Sequence, residues 1–492
     1  CLRYFFEFTD TQGEKVYYGN YEFDKECITN RDRMFDCPQN LREEEMFEVP
    51  EWAANKVVYQ IFPSRFAATE PVDKELWYKA PITPMDDLHG NLRGIIEHMD
   101  DIQNLGIDVL YMTPIFQSNS CHKYDTTDYY QIDPSFGTTE DLKELVQKAH
   151  ERGMKVVLDA VYNHTGREFF AFADILENGE KSKYRDWYFI DGFPLKSEWG
   201  EIPNFKCFGY YGGMPKLNLK NPEVEKYITD VACYWIKECD IDGWRLDVGD
   251  EISHFFWKNF RKAVKAVKKD MLIIGEIWHY AGDFLEGDEW DTVMNYPFYL
   301  NLIDLLADEK ITVSQFVQNL GYLKGRLHKN CYPLMWNLID SHDTARFLHL
   351  CNDNKKKQHL AAAFQLLLPG MPMIYYGDEY AMPGANDPDC RRGMYWDEEY
   401  QDKEMYEWYK RLIQVRKSHA CIVEGELAGS VTEDEEGTIV LIRKNGEETI
   451  AMIFNCSSSA KKFNEYTQKY NLLTENTFDG NVEGFDAAVI VL

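Results

Sequence analysis

Eight short apolar runs between residues 57 and 379 constrain the fold of this chain more than any other feature. The stretches between them, such as DLKELVQKAHERG (141–153), have the 3.6-residue spacing of amphipathic helices. Strands that alternate with helices indicate a parallel sheet, because each crossover between parallel strands needs a helix. The runs are VVYQIF (57–62), DVLYMTP (108–114), KVVLDAVYNH (155–164), IDGWRLD (241–247), LIIGEIWH (272–279), DTVMNYP (291–297), LMWNLIDSHD (334–343) and MIYYGDE (373–379).

Eight strand–helix units predict an α/β protein with a (β/α)₈ TIM barrel at 46–410. Residues 1–45 alternate apolar and polar side chains around turns, which predicts a partial N-terminal β domain. About 75 residues separate the third run from the fourth, and we expect a subdomain inserted after strand 3 at about 165–218. The alternation returns in the tail, which predicts a C-terminal β-sandwich at 411–492.

The charge balance narrows the choice of partners. With 53 Lys+Arg against 83 Asp+Glu, the formal net charge of −30 repels nucleic acid and anionic membranes, whereas neutral, hydroxyl-rich ligands are unaffected. No apolar run approaches the roughly 20 residues that span a bilayer. The 12 cysteines have no Cys-x-x-Cys or zinc-site spacing, so we expect a reduced, cytoplasmic protein. Because the chain begins with Cys1 rather than Met, a signal peptide stays an open alternative.

Carboxylates follow four of the apolar runs, at the barrel end where catalysis takes place. The four are Asp159, Asp247, Glu276 and Asp343, and His164, Arg245 and His342 lie near them in sequence. Any one carboxylate could serve as a helix cap or an ion-pair partner, but four together favour a catalytic role. Without a phosphate loop, a nucleophile elbow or metal-ligand spacing, they indicate glycosidic cleavage, in which one carboxylate attacks and another, protonated, donates.

The sequence around each carboxylate suggests a division of roles. Arg245 precedes Asp247 by two residues on the same strand and is expected to keep Asp247 ionised as the nucleophile. Glu276 lies in the apolar segment LIIGEIW, where its pKa can rise enough for it to act as acid and then as base. Asp343 remains to stabilise positive charge or to orient sugar hydroxyls.

Four segments resemble the signature regions of the α-amylase family, glycoside hydrolase family 13. They are DAVYNH (159–164), GWRLDV (243–248), GEIWH (275–279) and NLIDSHDT (337–344), in the order of the family. The resemblance implies that Asp247 is the nucleophile, Glu276 the general acid/base and Asp343 the transition-state carboxylate. It also implies sugar or carboxylate contacts for a further set of residues, with a structural role for the last of them: His164, Arg245, His342 and Asp159.

Further segments imply substrate contacts. CHKYDTTDYY (121–130) is similar to the family segment whose tyrosine, here Tyr124, stacks under the sugar at subsite −1, with core packing as the alternative. The DPDCRR stretch resembles one whose Asp387 and Arg391 hold subsite −2. Trp278 lies two residues beyond Glu276, so both should face the mouth of the barrel if the strand extends that far. We therefore expect Trp278 to contact the acceptor sugar, with a place in the core as the alternative.

The segment MPKLN (214–218) favours the neopullulanase, cyclomaltodextrinase and maltogenic amylase group of this family. The group implies a retaining hydrolase of α-1,4 bonds in malto-oligosaccharides, cyclodextrins or pullulan, with a pocket walled partly by a partner subunit, so a homodimer is an open alternative. An aromatic set of the inserted subdomain is expected to supply another wall: Phe205, Phe208, Tyr210 and Tyr211.

No cofactor is required by this interpretation; calcium is not predicted, although a calcium site in the inserted subdomain stays an open alternative. The first barrel loop, PSRFAATEP (63–71), lacks the Asn-Gly-Asp calcium loop of many relatives, so we predict no metal there. Two alternative functions stay open: a transglycosylating α-glucanotransferase of the same family, and a non-catalytic carbohydrate-binding relative.

Overall fold

The computed structural model describes residues 2–10, 12–20, 23–37, 47–197 and 202–492. Parts of the predicted N-terminal β domain and of the inserted subdomain lie outside these ranges. The chain divides into two compact units, Cys1–Glu48 and Val49–Leu492. The described part of the first unit contains short antiparallel strands, in which β1 pairs with β5 and β2 to β4 form a second sheet. They are β1 Leu2–Tyr4, β2 Phe6–Thr9, β3 Lys15–Tyr18, β4 Phe23–Asp24 and β5 Phe35–Cys37.

The second unit is built on a parallel barrel with a hairpin inserted after its second strand. In chain order the strands are β6 Val58–Ile61, β7 Val109–Met112, the hairpin strands β8 Phe116–Ser118 and β9 Thr126–Ile132, β10 Lys155–Ala160, β11 Gly243–Leu246, β12 Leu272–Gly275, β13 Thr292–Val293, β14 Trp336–Asn337 and β15 Met371–Tyr375. The barrel sheet has the order β13-β12-β11-β10-β7-β6-β15-β14. A parallel bridge between Met294 and Trp336 joins its two ends, so the predicted eight-stranded barrel is confirmed.

Helices surround the barrel, and their boundaries follow local sequence. Helix α5 begins with a capping box between Thr138 and Asp141, and α7 has Pro222 at its first position. The helices are α1 Pro63–Phe66, α2 Lys74–Trp77, α3 Leu92–Glu97, α4 Met99–Leu105, α5 Thr139–Glu151, α6 Phe170–Asn178, α7 Pro222–Cys239, α8 His254–Val267, α9 Tyr296–Leu302, α10 Val313–Arg326, α11 Phe347–Leu350, α12 Lys355–Leu367, α13 Lys403–Ser418 and α14 Cys421–Glu424. No helix in the described part of the chain is both long and apolar enough to cross a membrane.

The C-terminal part of the second unit is antiparallel β structure. A six-stranded sheet of order β16-β17-β18-β23-β20-β21 shares a core that includes Ile453, Phe463 and Val482 with the two-stranded sheet β19–β22. The strands are β16 Glu426–Glu433, β17 Thr438–Asn445, β18 Glu448–Asn455, β19 Lys461–Lys462, β20 Tyr470–Asn471, β21 Asn476–Thr477, β22 Asn481–Val482 and β23 Asp486–Val491. Helix α13 runs through residue 411, so this β structure begins later than the predicted boundary.

Seven of the eight apolar runs contain a whole barrel strand, and the eighth overlaps β15, which begins two residues earlier at Met371; every strand is shorter than its run. For example, β11 ends at Leu246 and β12 at Gly275, one residue before Asp247 and Glu276. We call the carboxyl ends of the barrel strands the mouth, and their amino ends, where Asp108, Asp242 and Asp291 precede β7, β11 and β13, the floor.

Candidate active site

A cavity of about 340 Å³ opens at the mouth of the barrel. It is lined by His122, Tyr124, His164, Phe208, Met214, Asp247, Val248, Glu276, Trp278, Asp343, Asp387 and Arg391. Of the predicted site residues, Asp159, Arg245 and His342 do not line the cavity; they are fully or almost fully buried. The structure therefore brings the predicted set together in two layers, one facing the cavity and one supporting it.

Arg245 is the hub of the supporting layer. Its Nη1 donates to Asp247 Oδ1 at 2.9 Å and to Asp159 Oδ1 at 3.1 Å, and its Nη2 lies 3.0 Å from Glu276 Oε2. Arg245 and Asp159 are register partners on neighbouring strands, which explains their contact. Although burial alone would lower it, the surrounding carboxylates raise the pKa of Arg245, so the guanidinium stays charged. One cation therefore holds the two predicted catalytic carboxylates in fixed positions.

Tyr124 links the supporting layer to the cavity. Its hydroxyl donates to Asp159 Oδ2 at 3.0 Å and also bonds His342 Nε2. Tyr111 donates to the same Asp159 oxygen at 2.7 Å. Burial raises the pKa of Asp159 to about 6, although these hydroxyls and Arg245 oppose the shift. Tyr124 lines the cavity rather than packing only in the core, as its predicted place under a sugar ring requires.

His342 is a neutral imidazole next to Asp343. The Gln60 amide donates to His342 Nδ1 at 2.7 Å, so Nε2 carries the ring proton, and this nitrogen lies 3.1 Å from Asp343 Oδ2. Burial lowers the pKa of His342 well below its usual value, and the nearby Arg391 acts in the same direction. The ring proton goes to the hydroxyl of Tyr124, which itself donates to Asp159, so the cationic donor of Asp343 is Arg391.

Asp247 combines one bonded oxygen with one free oxygen. Oδ1 accepts from Arg245, while Oδ2 has no hydrogen-bond partner at the base of the cavity. Burial raises the pKa of Asp247 well above its usual range, although Arg245 acts in the opposite direction. The sequence predicted that Arg245 keeps this group ionised. Arg245 does act in that direction, but burial and the neighbouring carboxylates of Glu276 and Asp159 act against it.

The surroundings of Glu276 differ from those that its sequence neighbours suggested. Its Oε2 accepts from the Val248 backbone N–H at 2.8 Å and lies 3.0 Å from Arg245 Nη2. Its Oε1 accepts from Trp278 Nε1 at 3.2 Å. Strand β12 contains only the LIIG part of this segment. The groups that meet the carboxylate are polar N–H groups, those of Val248 and Arg245 from outside the segment and the indole N–H of Trp278 within it. The expected apolar setting is therefore not what the structure has.

Trp278 faces the cavity, although not for the predicted reason. Strand β12 ends at Gly275, so the alternation of a strand does not place this side chain. Instead the indole bonds Glu276 and stacks on Tyr296 with ring centroids 3.9 Å apart. Its side of the cavity stays open, since Trp278 is 41% exposed. An exposed indole beside Glu276 provides an apolar platform for a sugar ring.

Asp387 and Arg391 also line the cavity, where they form a polar pair. Arg391 Nη1 lies 2.7 Å from Asp387 Oδ1, and Nη2 donates to Asp343 Oδ1 at 3.3 Å. Arg391 Nε also donates to the His342 carbonyl at 2.7 Å. These bonds tie the predicted subsite −2 residues to the segment that carries Asp343.

His164 is a further residue that lines the cavity. Its Nε2 donates to the Tyr124 carbonyl at 3.1 Å, and its ring stacks on Phe208 with centroids 5.2 Å apart. Burial lowers the pKa of His164 to about 4, so the ring is neutral. Of the aromatic set expected to wall the pocket, only Phe208 lines it: Phe205 is buried, and Tyr210 and Tyr211 are exposed outside the cavity.

Three lining residues were not singled out by the sequence: His122, Met214 and Val248. His122 Nδ1 accepts from the Tyr124 backbone N–H at 3.1 Å, so the neutral ring keeps Nε2 as a donor. Both His122 and Met214 lie inside motifs that carried the family resemblance, CHKYDTTDYY and MPKLN. The signal was therefore present, but the sequence alone does not tell which motif residue points into a cavity.

Nothing in the described residues forms a metal-binding set: no group of three or more His, Cys, Asp or Glu side chains is arranged to hold an ion. The cavity carboxylates have Arg245 and Arg391 as counter-charges instead. What the arrangement offers chemically is a free carboxylate oxygen on Asp247, a second, hydrogen-bonded carboxylate on Glu276, and a third on Asp343 that Arg391 holds.

Comparison with known proteins agrees with this chemistry. Residues 60–401 match the family model described as the alpha amylase catalytic domain. The chain is 45% identical to a cyclomaltodextrinase of Geobacillus thermopakistaniensis over 91% of its length and 76% of that protein, and 42% identical to neopullulanase 2 of Thermoactinomyces vulgaris over 92% and 78%. A solved cyclomaltodextrinase structure superposes with a TM-score of 0.92 at 38% identity, covering 99% of this chain and 86% of that one.

Proposed function

The chain belongs to the α-amylase family, and on that basis we propose that it is a retaining α-glucan hydrolase that cleaves α-1,4 bonds in malto-oligosaccharides, cyclodextrins or pullulan. The observation that carries the proposal is the contact of one buried guanidinium, Arg245, with Asp247 and Glu276 at the base of a cavity that Asp343 also lines. The names of the relatives support the substrate class, because they include a cyclomaltodextrinase and a neopullulanase.

The proposed reaction uses the three carboxylates in different ways. Asp247 attacks the anomeric carbon with its unpartnered oxygen while Glu276 donates a proton to the departing glycosidic oxygen. Glu276 then takes a proton from a water molecule. The oxygen of that water attacks the anomeric carbon, and the bond to Asp247 breaks, which releases the sugar from the glycosyl ester. Asp343, held by Arg391, stabilises the positive charge that develops on the ring.

Trapping of the glycosyl ester tests the assignment. A fluorinated glycosyl fluoride that forms the ester quickly and loses it slowly should label one peptide, and mass spectrometry should locate the sugar on Asp247. Glu276→Gln, as the matched variant, should still accept the label, because fluoride leaves without protonation. A label on Glu276, or none on the active enzyme, would reverse or remove the assigned roles.

Product analysis tests the substrate class. We expect kcat/KM per bond to be higher for β-cyclodextrin or maltotriose than for soluble starch, because a closed ring loses little conformational entropy on entering a matching pocket. The first product should have the α configuration in an NMR time course. Linear products longer than the substrate would favour the α-glucanotransferase. Equal or faster cleavage of starch would contradict the subgroup while leaving the family unchanged.

A cytoplasmic location and a homodimer belong to the same proposal. All cysteines among the described residues are free thiols, as expected in a reducing compartment. Light scattering during gel filtration of the purified chain should report twice the 57.8 kDa of one chain if the dimer forms.

A further inference from the structure

Arg346 is a fully buried arginine outside the cavity, three residues beyond Asp343. It immediately precedes helix α11, where its neighbour Phe347 donates a backbone N–H to Asp340 at 2.7 Å. Its guanidinium lies against the face of Tyr375 at 4.0 Å. Burying a cation costs much free energy unless the cation is paired with a counter-charge and hydrogen-bonded. The partners of Arg346 therefore indicate which segments it holds together.

The contacts of Arg346 lead to the loop 384–391, which ends at Arg391. Its backbone N–H donates to the Gly384 carbonyl at 3.0 Å, at the start of this loop. Its Nε donates to the Cys390 carbonyl at 3.1 Å, one residue before Arg391. Its Nη1 donates to Asp378 Oδ1 at 2.9 Å, just after strand β15. One side chain and its own backbone thus hold both ends of the loop.

The same loop reaches the catalytic layer from its other side. Cys390 Sγ donates to the His342 carbonyl at 3.3 Å, and Arg391 Nε donates to that carbonyl at 2.7 Å. Arg391 then contacts Asp343 and Asp387. A shift of the loop would therefore move both predicted subsite −2 residues and one of the contacts of Asp343.

We propose that Arg346 is a positioning residue that holds loop 384–391 at its two ends, and so sets how tightly the enzyme binds the sugar ring two places from the cleaved bond. The inference rests on the proposed function, because it assumes that Asp387 and Arg391 contact that ring. It assigns Arg346 no contact with substrate.

A lysine cannot replace this arginine. The guanidinium donates along two directions, to the Cys390 carbonyl and to Asp378, while its flat face packs on Tyr375. An ammonium group keeps the charge for Asp378 but has neither the fixed geometry nor the flat face. The Arg346→Lys variant therefore keeps the buried charge pair and loses the hold on Cys390.

Two aryl substrates with the same leaving group isolate the effect. p-Nitrophenyl α-glucoside fills only the ring position next to the cleaved bond, whereas p-nitrophenyl α-maltoside adds one ring in the subsite assigned to Asp387 and Arg391. The ratio of their kcat/KM values measures binding of that added ring. We expect Arg346→Lys to lower the ratio about tenfold or more, mainly through the KM of the maltoside, since a misplacement of about 1 Å can cost ~10²-fold.

Arg416→Lys is the matched control. Arg416 is also fully buried, but it donates to the carbonyls of Leu366 and Leu368 at 2.7 and 3.0 Å and has no contact with the loop. Its variant should lower thermal stability and leave the ratio unchanged. In an Asp387→Ala/Arg391→Ala background, Arg346→Lys should cause no further loss of the ratio, because both contacts that it positions are already gone.

The outcomes separate the inference from the proposed function. Hydrolysis of neither aryl substrate by the wild-type protein would contradict the function itself. An unchanged ratio in a folded Arg346→Lys variant, or an equal change in Arg416→Lys, would overturn the positioning role alone. If Arg346→Lys does not fold, the double variant Arg346→Gln/Asp378→Asn decides in its place, because it removes the guanidinium together with its buried counter-charge: a lowered ratio supports the role and a wild-type ratio overturns it.

Discussion

Two aspartates that flank one strand have opposite environments. Asp242 precedes β11 at the floor, and Asp247 follows β11 at the mouth. Asp242 accepts from the Val156 N–H, His150, Lys155 and Lys268, all within 3.0 Å. Burial opposes the shift, yet His150 and Lys268 hold the pKa of Asp242 well below its usual range. Burial instead raises the pKa of Asp247, which has Arg245 alone for a cation and shares it.

The floor repeats this arrangement at two more strands. Asp108 Oδ2 accepts the Val57 N–H and Asp291 Oδ2 accepts the Ile273 N–H, both at 2.9 Å, and each also binds lysine. In all three cases the aspartate precedes its strand and accepts an N–H of the neighbouring strand. Each floor carboxylate thus has its own backbone N–H and cationic partners. At the mouth, by contrast, Asp159, Asp247 and Glu276 share the guanidinium of Arg245. This difference indicates that the floor carboxylates stabilise the barrel, whereas the mouth contains reactive groups that make it less stable.

Removing the mouth aspartate should have the largest effect. Asp247→Asn should lower kcat by more than the ~10² to 10⁴-fold typical of a lost general acid or base, because the nucleophile itself is gone. Its melting temperature should equal or exceed that of the wild type, since a neutral amide avoids the cost of burying a charge. Kinetics on maltotriose and calorimetry measure the two effects. Wild-type-like turnover, or a large fall in melting temperature, would place Asp247 with the floor residues.

Removing the floor aspartate should do the reverse. Asp242→Asn should lower the free energy of unfolding by about 2 kcal/mol, because the partly buried Lys155, Lys268 and His150 lose their buried counter-charge. The kcat/KM of the molecules that remain folded should stay within about twofold of wild type, since no floor contact reaches the cavity. Urea unfolding and active-site-titrated kinetics test this. A selective loss of activity with unchanged stability would contradict the distinction between the two ends.

The pH dependence of the same two variants should also differ. The lowered pKa of Asp242 gives stability that is present above the unfolded pKa of about 3.9 and lost as the pH falls towards the folded value. The penalty of Asp242→Asn should therefore be constant from pH 5 to 8. The raised pKa of Asp247 gives stability that is lost as the pH rises through the folded value. The advantage of Asp247→Asn should therefore grow as the pH rises above the unfolded pKa of about 3.9, by up to about 1.4 kcal/mol per unit, and level off above the folded value. Parallel curves in urea unfolding would contradict the opposite shifts.

Much of this contrast follows from sequence, but the sharing of Arg245 does not. The eight runs and the carboxylates after them predicted the barrel and the residues at its mouth, because hydrophobic periodicity and strand ends are local signals. The contact of Arg245 with Asp159 depends on the register of β10 and β11, which no local pattern encodes. The donors around Glu276 are Arg245 on the neighbouring strand β11, Val248 just after β11, and Trp278 beyond the end of β12. The role of Arg346 likewise arises from contacts with segments more than thirty residues away.

Two tryptophans extend the comparison to aromatic side chains. Trp278 lies at the mouth, whereas Trp52 donates to the Asp270 carbonyl at 2.8 Å near the floor and packs on the barrel core. Trp278→Ala should change product lengths or the ratio of transfer to hydrolysis several-fold, with little loss of stability. Trp52→Ala should lower the melting temperature and leave the product profile intact. Chromatography of maltotriose digests distinguishes the two, and an unchanged profile for Trp278→Ala would assign that indole to packing.

The smallest effect is expected from chelation. Hard cations bind where several oxygens are free of other counter-charges. The floor aspartates are bound by lysine and arginine, those of the mouth share Arg245 and Arg391, and loop 63–71 offers only Glu70 as a charged ligand. Neither end of the barrel therefore has a carboxylate set left for calcium. EDTA should change kcat and melting temperature by no more than experimental error, and calcium should not raise either. A loss reversed by calcium would show that a cation, rather than Arg245 and the floor lysines alone, balances the carboxylates of this barrel.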